Sequence, residues 1–352
     1  MPHINLTWWN LQNFFDTDDD PISADFDYTP ENGWTPERYA QKRDNLAAAL
    51  KATHGGEGPH LLAVAEIEKD ALLADLIQAM GATHLEVAVD PAGTQDLRGI
   101  DVAVAYDRRF FEVVSLTSHV VHFRYRTRDI FELVLRFKPT GEELVFLPTH
   151  WPSRSQGRFE SEPLRIAVAE NIAYLVDGHL KVVPAEYETL RAAGNLAPVN
   201  ARWETKVLIV GDFNDEPFDR SVTDHLKASK DLDLVTGNRN DMDRFYKETA
   251  DYRGLEALLF NACANLAGSP NVGSYYRPND DGGKTTNPYQ LLDQLVVSRG
   301  LAGGSGLTLD PASVGYFTDA LVATPSQRPR PFDRKSGKGA SDHLPLVARL
   351  NY

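Results

Sequence analysis

Apolar positions along the chain gather into short, nearly continuous runs at residues 4–9, 61–65, 102–106, 130–137, 144–148, 207–210, 291–297 and 344–350. Many are unbroken rather than alternating, which predicts strands covered on both faces. Elsewhere the period lengthens. Thr35-Pro36-Glu37 offers a cap residue followed by proline at the first helical position, and Tyr39, Leu46 and Leu50 follow near helical spacing. A second helix is expected over about 71–80. A third is expected over about 162–180, with Ile166, Ala169, Ile172, Ala173 and Val176 on one stripe. Residues 16–34, 184–205 and 323–340 read as long loops, the first acidic, the second irregular, the third basic around Arg328-Pro-Arg-Pro-Phe-Asp-Arg-Lys335. Strands and helices alternate and strands then return, a pattern of two packed sheets with helices outside. The length allows two domains or one large α/β domain, and no repeat or Gly/Ser linker divides the chain.

Composition narrows the partners. The chain has 352 residues, with 50 acidic against 36 basic side chains, for a net charge of −14. That balance argues against a broad basic face that holds duplex nucleic acid by charge alone, but a few local arginines suffice for one phosphate. No apolar run approaches the roughly 18 residues of a membrane span, so stable membrane insertion is not expected. The first residues show no basic region followed by a long apolar stretch, so a cytoplasmic location is expected. Cys263, the single cysteine, has no internal disulfide partner, in keeping with a reducing compartment. No protein partner is inferable.

The chemistry-bearing residues recur at the C-terminal ends of apolar runs, where open sheets expose functional groups. Asn10 follows Trp8-Trp9, and a turn-forming asparagine is its bland alternative. Glu66 directly follows five apolar residues. Such a carboxylate is costly unless paired or bound to a cation, the alternative being a surface glutamate that begins a helix. His150 opens Thr149-His150-Trp151-Pro152-Ser153-Arg154, where histidine, serine and arginine together suit a phosphate. After residues 207–210 the strand is expected to break at Gly211 and present Asp212, Asn214 and Asp215. Alternation across Phe213 puts Asp212 and Asn214 on one side of an extended backbone. A carboxylate there can deprotonate a water, and the amide can donate to a phosphate oxygen as charge grows. Asp293 sits within an apolar run and needs a partner. His343, in Ser341-Asp342-His343, offers one and would be oriented and held partly protonated by it, leaving Asp342 to face a cation.

In this order the segments resemble the endonuclease/exonuclease/phosphatase superfamily, and the resemblance runs from the first strand to the last. Closer likeness to a bacterial nuclease-like branch rests on residues 10–20 with their Phe-Phe-Asp-Thr-Asp-Asp-Asp run, Arg98-Gly-Ile-Asp101, residues 150–154 and Gly211-Asp-Phe-Asn-Asp-Glu-Pro217. The resemblance implies a single domain over residues 1–352, built as a four-layer α/β-β/α sandwich of two packed mixed β-sheets. It implies Glu66 as main metal carboxylate with Asn10 and Asp342, Asp212 as base for the attacking water, and Asn214 as stabiliser of the transition-state oxygen. His343 oriented by Asp293, and His150, would serve the phosphate or the leaving group. Arg98, Arg154 and Ser153 would anchor phosphate, and Asp101 would orient His150. Oxygen donors without a Cys/His cluster suit Mg²⁺ or Mn²⁺. The acidic run 16–20 reads as a solvated turn, with an additional Ca²⁺ as the alternative.

A nuclease acting on DNA is the favoured function, and a phosphatase or phosphodiesterase for a phosphoinositide, sphingomyelin or other small ester is the alternative, since one core supports both. A non-catalytic descendant would be expected to lack one of Glu66, Asp212, Asn214, Asp293 or His343, and all are present.

Overall fold

The computed structural model describes residues 1–19, 26–89, 101–124, 128–237, 248–278 and 287–352. In chain order its main elements are β1 (His3–Phe14), α1 (Pro36–Ala52), β2 (Leu61–Ile67), α2 (Asp70–Met80), β3 (Leu85–Ala88), β4 (Asp101–Asp107), β5 (Phe111–His119), β6 (Ile130–Phe137) and β7 (Glu143–His150). There follow α3 (Glu162–Leu180), α4 (Pro184–Ala192), α5 (Ala197–Trp203), β8 (Lys206–Asp212), β9 (Ala228–Ser229), β10 (Leu259–Asn261), β11 (Tyr275–Tyr276), β12 (Tyr289–Gln290), β13 (Asp293–Val297), β14 (Thr308–Tyr316) and β15 (Leu346–Asn351).

Among the described residues the strands form a six-stranded sheet ordered β14-β15-β1-β2-β4-β3 and a seven-stranded sheet ordered β5-β6-β7-β8-β13-β10-β9. Each sheet mixes parallel and antiparallel pairs, and β11 and β12 make a separate hairpin. The two sheets pack face to face: Trp8, Val104 and Leu346 of the first share one core with Leu133, Phe146, Leu208 and Leu295 of the second. On the outer face of the first sheet, Leu46, Leu50, Leu73 and Leu76 of α1 and α2 cover Trp9, Leu62 and Val64. On the outer face of the second, Ile172, Val176, Tyr187 and Trp203 of α3 to α5 cover Val145, Leu147, Val207 and Ile209. β8 shows why its run is continuous. Leu208 and Val210 enter the core between the sheets while Val207 and Ile209 meet the helices, so both faces are dry. The result is a four-layer α/β-β/α sandwich. No helix among the described residues is long and apolar enough to cross a membrane.

Two expectations are corrected, and β5 has no counterpart among the apolar runs. Residues 184–205 are not irregular. They form α4 and α5, each with proline in its first turn, and only Tyr187, Val199 and Trp203 of the two are buried. So few buried residues leave little periodic signal. β5 had no apolar run because it is an exposed edge strand. Finally, β8 does not break at Gly211 but continues through it to Asp212. Glycine is needed there because a Cβ would lie 2.0 Å from the Thr149 carbonyl oxygen of β7. Gly211→Ala is therefore expected to wedge β7 from β8 at the level of the site and to cost about 1–3 kcal/mol. Thermal denaturation checks it, and an unchanged midpoint would mean that the strands are not in close contact.

Candidate active site

Five strand ends bring the polar residues together. In the second sheet, β7 and β8 run parallel with His150 opposite Asp212, and β13 runs antiparallel to β8 with Asp293 opposite Asp212. Three neighbouring strands thus carry an imidazole and two carboxylates side by side. In the first sheet, β1 and β2 run parallel, with Asn10 beside Ala65 and Glu66 one residue further on. Glu66 interrupts the register between β2 and β4 and has φ 59°, so a bulge aims its side chain out of the pleat. The segment before β15 supplies Ser341, Asp342 and His343. Ser341 Oγ ties it to the site by donating to the Asn10 carbonyl at 2.6 Å.

Asp212 is the centre of the group and is buried. Its Oδ2 accepts from Asn10 Nδ2 at 3.2 Å and lies 3.5 Å from His150 Nε2 and 3.8 Å from His343 Nε2. Its Oδ1 accepts the Asn214 N–H at 2.9 Å. Asp212 and Asn214 are therefore joined by a turn, with Asn214 at φ 50°, and not by the alternation of an extended strand. The Asn214 amide donates to the Trp151 carbonyl at 3.0 Å. Burial pushes the Asp212 carboxyl up to about 7, Asp293 adds to the rise, and His343 opposes it.

Asp293, fully buried, has both carboxylate oxygens in use. Oδ1 accepts the indole N–H of Trp8 at 2.7 Å, and Oδ2 lies 2.6 Å from His343 Nδ1. The Trp8 bond crosses between the sheets and so fixes their relative position. Burial alone would depress His343, but the charges of Asp293 and Asp212 outweigh it and hold the imidazole well above its usual range. Its Nδ1 meets Asp293 at 2.6 Å, and its Nε2 lies on the Asp212 side at 3.8 Å.

Glu66 Oε2 accepts the Asn13 N–H at 2.9 Å, and its Oε1 lies 3.9 Å from His150 Nε2. Asp342 is held above the ordinary carboxylate range by burial, against the pull of His343 and with the repulsion of Glu66. Glu66 and Asp342 feel one another electrostatically, and their carboxylates and the Asn10 amide oxygen are donors of the kind that a hard divalent cation takes. The tightest cluster is a different one. Donor atoms of Asp212, Asp293 and His343 lie within 4.8 Å of one another and could hold a metal ion. In that cluster both Asp293 oxygens are already engaged, by Trp8 and His343.

Two expected residues lie apart from this group. Arg154 donates to Asp215 at 3.0 Å and Asp219 at 2.7 Å, and Arg158 bonds Asp219 as well. Its guanidinium is thus turned to carboxylates instead of standing free for a phosphate. Ser153 is exposed, and its Oγ caps a short turn by accepting from Ser155 N at 3.1 Å. The Asp101 backbone pairs with Ile67, but its side chain lies outside the description, and Arg98 lies outside the described residues.

The structure adds residues that motif reading missed. Trp9 Nε1 donates to the His343 carbonyl at 2.8 Å and Tyr316 Oη to the Asp293 carbonyl at 2.8 Å. Lys42 of α1 is buried, and its amine bonds the carbonyls of Gln12 and Asn13 beneath Glu66. One signal for it was available. Lys42 falls three residues after Tyr39 and four before Leu46, on the apolar stripe of the helix.

A family model described as "Endonuclease/Exonuclease/phosphatase family" matches residues 5–259. No curated protein matches the sequence. Among solved structures, an endonuclease/exonuclease/phosphatase from Bacteroides vulgatus is similar at TM-score 0.53 and 12% identity, over 100% of this chain and 99% of that one. TDP2 of D. rerio, complexed with a single-strand DNA product, is similar at TM-score 0.51 and 13% identity over 99% of both chains. A mannosyl-6-phosphatase of Bacteroides thetaiotaomicron is similar at TM-score 0.51 and 14% identity, over 99% of this chain and 100% of that one. At such identities these likenesses establish a shared fold.

Proposed function

The chain belongs to the endonuclease/exonuclease/phosphatase family, and from that premise we propose that it is a divalent-cation-dependent phosphodiesterase of the nuclease type, acting on DNA by in-line attack of water. The observation that carries this reading is the surroundings of Asp212 Oδ2, where one buried carboxylate oxygen meets Asn10, His150 and His343 within 3.8 Å. Asp212 is the base that orients and deprotonates the water. Its upward shift gives it an affinity for that proton which an exposed aspartate lacks. His343, charged through Asp293, faces the phosphate and donates from Nε2. His150, on the neighbouring strand, serves the leaving oxygen. Asn214, which gives one amide N–H to the Trp151 carbonyl, has its second for the oxygen that gains charge. Glu66, Asn10 and Asp342 are the cation's ligands, and the family's dependence on divalent metal agrees with that donor set. Bound there, Mg²⁺ or Mn²⁺ would neutralise a nonbridging phosphate oxygen and the developing leaving-group charge. The DNA product bound by the D. rerio structure supports a nucleic-acid substrate for this chain.

A specific observation favours a second reading, a phosphatase or phosphodiesterase for a small ester. Arg154 and Arg158, beside the His150 strand end, are engaged by Asp215 and Asp219, and the net charge is −14. These two arginines are then not available to follow a polynucleotide backbone. Chelator-treated protein should be supplied with Mg²⁺ or Mn²⁺ and tested on supercoiled plasmid, single-stranded DNA, RNA, bis(4-nitrophenyl) phosphate, a sugar phosphate and a phosphoinositide. Cleavage of DNA is the expected result. Turnover of only the sugar phosphate or the lipid would transfer the site to the second reading.

A further inference from the structure

Lys42 is 2% exposed, with the Trp34 and Phe332 rings 5.9 and 5.4 Å from its amine. Among the described residues no carboxylate lies within ion-pair distance of it. Its hydrogen bonds go to the Gln12 carbonyl and, at 3.2 Å, the Asn13 carbonyl. A buried amine given up to two backbone oxygens is an expensive way to fill space, because a methionine would pack as well without the desolvation. The two residues it holds are unusual as well. Gln12 and Asn13 are consecutive non-glycine residues at φ 55° and 57°, where the end of β1 departs from its extended course.

The Gln12 carbonyl and the Asn13 N–H are opposite ends of one planar peptide unit. Lys42 takes the oxygen end, and Glu66 Oε2 takes the hydrogen end at 2.9 Å. One residue earlier, the Gln12 N–H donates to Asn10 Oδ1 at 3.0 Å, and the Gln12 side chain is itself fixed by the Phe332 N–H at 2.8 Å. Two residues of the cation donor set are thus oriented by N–H groups of this one left-handed pair.

We propose that Lys42 is a positioning residue for the cation site: by holding the Gln12–Asn13 peptide from below, it presents that peptide's N–H to Glu66 and sets the angle of the carboxylate. The amine's hydrogen bond also polarises the peptide, so the Asn13 N–H donates more strongly. Burial draws the amine down to about 7 while Glu66 and Asp342 pull it up, so the group lies within the field of the carboxylates it serves. The inference rests on the phosphoesterase reading above and adds to it a residue outside the motifs.

The test is direct binding of Mn²⁺, read from the electron paramagnetic resonance of the free ion, for wild type, Lys42→Met and Lys42→Gln, with far-UV circular dichroism and melting temperature recorded for each. Lys42→Met keeps the packing and removes the donors. It is expected to bind Mn²⁺ about 10-fold more weakly, the lower end of the loss when a direct partner of a metal ligand is removed, because Lys42 acts on Glu66 through one peptide. Lys42→Gln, which retains a shorter N–H donor, should fall between Lys42→Met and wild type. A folded Lys42→Met with wild-type Mn²⁺ affinity would overturn the inference, whatever its melting temperature. Should Lys42→Met not fold, wild-type affinity in Lys42→Gln would overturn it equally. Wild-type protein that binds no Mn²⁺ would remove the phosphoesterase reading and this inference with it.

Discussion

Asp212→Asn is expected to lower turnover by about 10³-fold while leaving the fold intact. The substitution keeps volume and planarity, and its amide oxygen can still accept the Asn214 N–H that Asp212 Oδ1 accepts at 2.9 Å. What disappears is the acceptor facing Asn10, His150 and His343, because an amide nitrogen cannot take a proton from water. The Asn10 amide, a donor at 3.2 Å, would then meet a donor and has to rotate. The measurement is kcat on bis(4-nitrophenyl) phosphate at saturating Mg²⁺, with circular dichroism to establish folding. A folded variant with kcat within threefold of wild type would remove Asp212 from the role of base.

Asp293→Asn carries the second large effect, with a different signature. Asp293 accepts from two donors, Trp8 Nε1 and His343 Nδ1, using both oxygens. An asparagine offers one oxygen, so either the indole or the imidazole meets an amide N–H. Leaving one buried donor unsatisfied costs about 1–3 kcal/mol of stability. Removing the charge also takes away the main attraction that holds His343 protonated, and the ring then loses its proton or its tautomer. Loss of an orienting carboxylate in such pairs lowers turnover by something on the order of 10²–10⁴-fold. Both should be seen together, as a lower urea midpoint and a lower kcat. Full activity with reduced stability would make Asp293 only a brace between the sheets.

The fold was legible wherever burial on two faces left unbroken apolar runs, as in β2, β7 and β8. It was illegible wherever an element is half exposed. α4 and α5 bury only Tyr187, Val199 and Trp203, and edge strand β5 interleaves Val113 and Val114 with Glu112 and Ser115 in solvent. At the site, the side chains that end strands were readable because a carboxylate or imidazole after an apolar run has few cheap explanations. The structure brings Asn10, Glu66, His150, Asp212, Asp293 and His343 into one group. It turns Arg154 away to Asp215 and Asp219, which a motif cannot reveal because those partners lie in a loop 61 and 65 residues downstream. The supporting contacts were hidden for the same reason. Trp8 reaches across to the other sheet, 285 residues away, and Lys42 acts on the backbone of another element. The helical period puts Lys42 on the buried stripe of α1 but does not tell which backbone it meets, and no local spacing encodes the Trp8 contact.

We propose that the site works only with a divalent cation held by Glu66, Asn10 and Asp342. The most direct test is turnover of the best substrate by protein stripped with chelator and then titrated with Mg²⁺. No measurable turnover is expected in the stripped protein, with saturable recovery as Mg²⁺ is added. Undiminished turnover in excess chelator would contradict it.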